Sequence, residues 1–102
     1  VIQMDKDEII HLMRENFNVL ATEYGVSRIG IFGSSVRGTI SETSDLDIVV
    51  EFNRPIGFKF NQLVRYLENL LGKKVDLLTK DGIENIRIKE VARNIERDLI
   101  YV

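Results

Sequence analysis

Residues Asp45 to Phe52 read DLDIVVEF, and no other segment constrains the fold as tightly. Side chains alternate between the two faces of a strand. Leu46, Ile48, Val50 and Phe52 therefore share one face, apolar throughout, while Asp45, Asp47, Val49 and Glu51 share the other. A strand with one apolar face needs an apolar layer laid against it. A strand with several carboxylates on its opposite face cannot be buried on both sides. The segment therefore calls for a sheet covered mainly on one face, with the second face free to form a site.

The flanking sequence supplies that layer. Ile9, Met13, Phe17, Leu20 and Tyr24 recur at spacings of three and four, which predicts a helix from Met4 to Tyr24 stopped by Gly25. Arg28 to Phe32 reads as a short buried strand, and Gly33 to Arg37 as a turn leading into a turn or two of helix. Leu46 to Phe52 is the second strand, followed by a loop over Asn53 to Gly57 around the only proline. Phe60 to Leu71 places Phe60, Leu63, Val64, Leu67, Leu70 and Leu71 on one helical stripe, closed by Gly72. Lys74 to Thr79 is a third strand, Asp81-Gly82 a turn, Ile83 to Glu96 a final helix with a less regular stripe, and Leu99 to Val102 a short extended end. The expected fold class is α/β (α+β): a small mixed β-sheet of three to four strands with helices packed mainly on one face, in a single domain over residues 1–102.

Composition excludes several function classes. The chain has 102 residues and a net charge of 14 − 16 = −2, which argues against a general nucleic-acid or membrane binder. Apolar runs are far shorter than the ~20 residues of a membrane span, and no signal-peptide pattern opens the chain, so a cytoplasmic protein is expected. Without cysteine there is no disulfide, thiolate zinc site or cysteine nucleophile.

Three features carry chemistry. Asp45 and Asp47 lie roughly 6–7 Å apart at the backbone on one strand face. At about 5 Å and an effective dielectric of 20 their repulsion is about 3 kcal/mol, which a divalent cation converts into binding energy. All-oxygen donors favour Mg²⁺ or Mn²⁺ over Zn²⁺. Gly33-Ser34-Ser35-Val36-Arg37-Gly38 follows an apolar strand, where a glycine turn lets backbone N–H groups approach phosphate oxygens, Ser34 offers a hydroxyl and Arg37 a guanidinium. It is not a P-loop, because Thr39 stands where lysine is required. Asp76 is a lone acid in KKVDLLTK, placed to take a proton if its strand pairs beside Asp45 to Glu51. Each feature alone has a plainer reading: solvated aspartates closing a strand, a serine-capped turn, an exposed strand position.

Together they form a specific set. Gly33-Ser34, then Asp45 and Asp47 in D-x-D spacing, then Asp76 in a V-D-L context, resembles the nucleotidyltransferase superfamily typified by DNA polymerase β. Arg37-Gly38 and Ser44-Asp45 match the flanks of the same motif. More narrowly, the chain resembles the minimal nucleotidyltransferase domains that form the antitoxin half of MNT/HEPN toxin–antitoxin pairs, over nearly its whole length. The resemblance implies that Asp45, Asp47 and Asp76 bind Mg²⁺, with Asp76 also acting as base, and that Gly33, Ser34 and Arg37 bind the nucleotide triphosphate. The implied reaction moves AMP from ATP to a hydroxyl, that of a tyrosine on a partner HEPN-domain toxin. Two other functions remain open: an antitoxin that masks its toxin by binding, and a catalytic subunit that modifies a small molecule or RNA. Oligomeric state is open too. His11, the only histidine, reads as a solvated helix residue, and Phe58 or Phe60 as an exposed aromatic at a partner surface.

Overall fold

The computed structural model describes residues 5–33, 36, 45–85, 93, 95 and 97–102. Along the chain come α1 (Lys6–Glu15), α2 (Phe17–Tyr24), β1 (Val26–Ile31), β2 (Leu46–Phe52), α3 (Lys59–Leu71), β3 (Val75–Thr79), α4 (Lys80–Glu84) and β4 (Ile100–Tyr101). The strands form one sheet in the order β3-β2-β1-β4. β1 runs antiparallel to both β2 and β4, and β2 runs parallel to β3, so the sheet is mixed as expected.

The first face of the sheet carries the main core. Ile29, Ile31, Leu46, Ile48, Val50 and Leu77 meet Ile9 and Met13 of α1, Leu20 of α2, and Leu63, Leu67 and Leu71 of α3. These are the stripes read from the helical spacing. α1 opens where the Asp5 carboxylate accepts the Glu8 N–H at 2.9 Å.

Four expectations need correction. The one helix predicted from Met4 to Tyr24 is two in its described part, interrupted at Asn16 (φ −101, ψ 8). The Asn16 side-chain amide donates to the Leu12 carbonyl at 2.8 Å, and its oxygen accepts from the Tyr66 hydroxyl of α3 at 3.1 Å. An asparagine so engaged competes locally with the helical ladder. β1 begins two residues early, at Val26. Asp81-Gly82 lies inside α4, whose first turn is capped by Thr79 Oγ1 accepting the Gly82 N–H at 3.0 Å. Finally, the second face of the sheet is not wholly free. Phe32, Val49 and Ile83 form a smaller cluster there, with Leu78, Ile95, Leu99 and Tyr101 against it. Val49 is fully buried between Asp47 and Glu51 because α4 and the C-terminal segment return over it. Among the described residues, the end of that face where β2 and β3 begin carries the exposed Asp45 and Asp76. Of the final helix predicted from Ile83 to Glu96, Ile83 and Glu84 close α4 and Asn85 caps it, Arg93 and Ile95 are helical, and the rest lies outside the described residues. The extended end at Leu99 to Val102 pairs as β4.

Candidate active site

The parallel pairing of β2 with β3 sets Leu46 opposite Val75 and Asp47 opposite Asp76. Neighbouring strands lie about 4.8 Å apart, so Asp47 and Asp76 stand side by side on the second face. Asp45, one residue before β2 and two before Asp47, shares their parity. The backbone is held on both sides: the Phe32 N–H donates to the Asp47 carbonyl at 3.1 Å, and the Leu46 N–H donates to the Lys74 carbonyl at 2.8 Å. Asp45 and Asp76 are exposed and Asp47 is half-buried.

Burial pushes the Asp47 carboxyl above its ordinary value of 3.8, and the charges of Asp76 and then Asp45 push it the same way. Asp76 and Asp45 therefore both act on Asp47, and for Asp76 the β2–β3 register gives the reason.

Gly33 joins the same cluster. Its φ of +65° lies in the left-handed region. A β-carbon placed on it would sit 2.7 Å from Asp47 Oδ2. The missing side chain thus makes room for the carboxylate. The turn it opens is closed by the Val36 N–H donating to the Gly33 carbonyl at 3.1 Å. Ser34 and Arg37, the other two residues expected at the triphosphate, lie outside the described residues.

Among the described residues no three acidic or imidazole groups converge tightly enough to be a finished metal cage. The donor chemistry nevertheless fits a hard divalent cation. It consists of carboxylate oxygens only, on one sheet end, with mutual repulsion that a cation would relieve.

The sequence profile of the nucleotidyltransferase domain matches residues 13–102. The chain belongs to this family. A candidate protein adenylyltransferase of Methanocaldococcus jannaschii is 45% identical to this nucleotidyltransferase domain over 98 residues, covering 93% of the chain and 95% of the relative. The protein adenylyltransferase MntA of Thermococcus cleftensis is 39% identical over 97 residues, covering 94% of each. A solved structure of a candidate minimal nucleotidyltransferase superposes with a TM-score of 0.70 at 30% identity, over 95% of each chain. Crystal structures of the MntA-HpeT toxin–antitoxin and of a toxin–antitoxin with AMP-PNP share the fold. Their TM-scores are 0.62 and 0.61 at 20% and 22% identity, over 96% of this chain and 72% of theirs. The resemblance read from Gly33, Asp45, Asp47 and Asp76 is thereby borne out, and with it the mixed α/β architecture.

Two hollows in the nucleotidyltransferase domain carried no sequence signal. One, of about 320 Å³, opens on the same sheet face as the acids and is walled by Val49, Ile83, Leu99 and Tyr101. The other, of about 510 Å³, lies at the opposite ends of β2 and β3, between Glu51, Arg54, Thr79 and Lys80. Neither contains an acid of the cluster. Beyond Val49 the face is closed by Arg28, whose guanidinium stacks 3.6 Å above the Tyr101 ring and lies 3.5 Å from Glu51 Oε2. His11 is a solvated partner of Glu15 at 2.8 Å, remote in sequence from the acids. Phe58 is the exposed aromatic, at 93%, and Phe60 packs partly into the core. No helix among the described residues is long and apolar enough to cross a membrane.

Proposed function

We propose that the chain transfers AMP from ATP to the hydroxyl of a tyrosine on a partner HEPN-domain toxin, and that this modification makes it an antitoxin. The observation that carries the reading is the register that sets Asp47 beside Asp76, with Asp45 on the same open face. In this reading Asp45, Asp47 and Asp76 hold Mg²⁺ through carboxylate oxygens. When bound, the ion supplies charge neutralisation for the triphosphate and for the attacking and leaving oxygens. Asp76, exposed at the sheet edge, accepts the proton of the acceptor hydroxyl. The hydroxyl oxygen bonds to the α-phosphorus while the bond from that phosphorus to the bridging oxygen breaks, releasing pyrophosphate. Gly33, Ser34 and Arg37 bind the triphosphate, Gly33 by bringing bare backbone next to Asp47. Support comes from relatives named protein adenylyltransferases and from the shared fold of a toxin–antitoxin bound to AMP-PNP.

The test is incubation of the chain with Mg²⁺ and each labelled nucleoside triphosphate, with and without the protein encoded beside its gene, read by intact mass. AMP added to the partner is expected, falling about 100-fold or more for Asp45→Asn and Asp47→Asn. A stable complex with no mass gain from any triphosphate overturns transfer. That outcome favours a masking antitoxin, for which Phe58 offers an exposed contact.

A further inference from the structure

We propose that Glu68, on α3, is a positioning residue that keeps Asp76 level with Asp47. The inference rests on the reading of the acid cluster given under Proposed function. Among the described residues β3 is an edge strand, paired only with β2. Its first residue, Val75, immediately precedes Asp76 and sits opposite Leu46. Successive backbone groups of a strand point to opposite sides. The Lys74 carbonyl faces β2, where it accepts the Leu46 N–H at 2.8 Å. The Val75 N–H therefore faces away from the sheet, where an edge strand leaves its donors without a ladder partner. Glu68 Oε2 accepts that N–H at 3.0 Å in a part-buried bond.

The place Glu68 occupies is an unfavourable one for an acid. It lies in the final turn of α3, at the negative end of the helix dipole, with no basic residue in that turn. Its engagement with Val75 offsets that cost through a charge-assisted hydrogen bond. The bond spans the short connection Gly72 to Lys74 and ties the start of β3 to a helix anchored in the core by Leu63, Leu67 and Leu71. β3 is thus gripped from both sides, by Leu46 within the sheet and by Glu68 beyond its edge. A slip of one residue would turn Asp76 to the opposite face. Fraying at Val75 would move Asp76 away from the carboxylate it stands beside.

The experiment compares the full wild-type chain with Glu68→Met, which keeps the stem and helix propensity but offers no oxygen, and Glu68→Gln, which keeps an acceptor oxygen without the charge. Three quantities are read: hydrogen-exchange protection of the Val75 amide, affinity for Mn²⁺ alone, and kcat and KM for AMP transfer. For Glu68→Met we expect loss of Val75 protection, Mn²⁺ affinity down about tenfold, and kcat down by a similar factor with KM for ATP little changed. Glu68→Gln should stay within about twofold of wild type in all three, because geometry is retained. If Glu68→Met does not fold, Glu68→Ala replaces it. Unchanged Mn²⁺ affinity despite a deprotected Val75 overturns the proposal, as does Glu68→Gln behaving like the methionine variant. If the wild-type chain transfers nothing, the proposed reaction fails, yet weakened Mn²⁺ binding in Glu68→Met alone still supports positioning. A wild-type chain that binds no Mn²⁺ overturns both.

Discussion

At the scale of single residues, the cluster is organised around Asp47. Its carboxyl is less acidic in the fold than in a free chain, first because it is desolvated and then because Asp76 and Asp45 repel its charge. A raised folded value means that the protonated form is favoured by folding. That stabilising contribution is full below the ordinary value of 3.8 and is lost as pH rises through the raised value. Without metal, Asp47→Asn should therefore be more stable than wild type at neutral pH, with the difference vanishing below pH 3.8. Urea midpoints across that range test this, and a variant less stable at neutral pH would contradict it. The residue types of the cluster were readable from sequence, since parity on one strand already puts Asp45 and Asp47 on one face. The neighbour relation of Asp47 to Asp76 was not, because alternation gives a face and not a pairing. Gly33 shows the same limit: its place after a strand indicated a ligand-facing turn, but only the fold reveals that its absent side chain accommodates the Asp47 carboxylate.

At the scale of elements, β2 was recovered to the residue because its alternation and polar boundaries are both local. The break between α1 and α2 was hidden because the apolar stripe runs straight through it. Its cause involves Tyr66, a partner fifty residues along the chain. The cover on the second face was hidden for a related reason. Val49 looks like one apolar residue between two acids until α4 and β4 are placed over it. The β1–β4 pairing depends on Gly30, which stands opposite Tyr101. A β-carbon there would lie 2.5 Å from the Ile100 carbonyl oxygen, a backbone atom that cannot move without displacing the strand. Gly30→Ala should cost about 1–3 kcal/mol by overpacking. It should also deprotect the Val102 amide, which donates to the Ile29 carbonyl at 2.9 Å. Denaturant unfolding and hydrogen exchange read the two effects, and full protection of Val102 in the variant would count against this account of Gly30.

At the scale of the whole molecule, a thick apolar layer on one face supports a thin, partly acidic face on the other. A cation that binds only the folded cluster adds stability by mass action, about 2.7 kcal/mol at a hundredfold excess over its Kd. Mg²⁺ or Mn²⁺ should accordingly raise the Tm of the wild-type chain and leave that of Asp47→Asn nearly unchanged. Equal shifts in both would place the ion elsewhere. The parallel seam between β2 and β3 also bears on the order in which the molecule is made. Parallel strands cannot be joined by a hairpin, so the chain must traverse residues 53–74, including α3, before Asp47 and Asp76 meet. The β1–β2 pair and the α1–α2 contacts require no such crossing. The repulsion between Asp47 and Asp76 therefore enters only when β3 pairs with β2, whereas that between Asp45 and Asp47 is present along the strand itself.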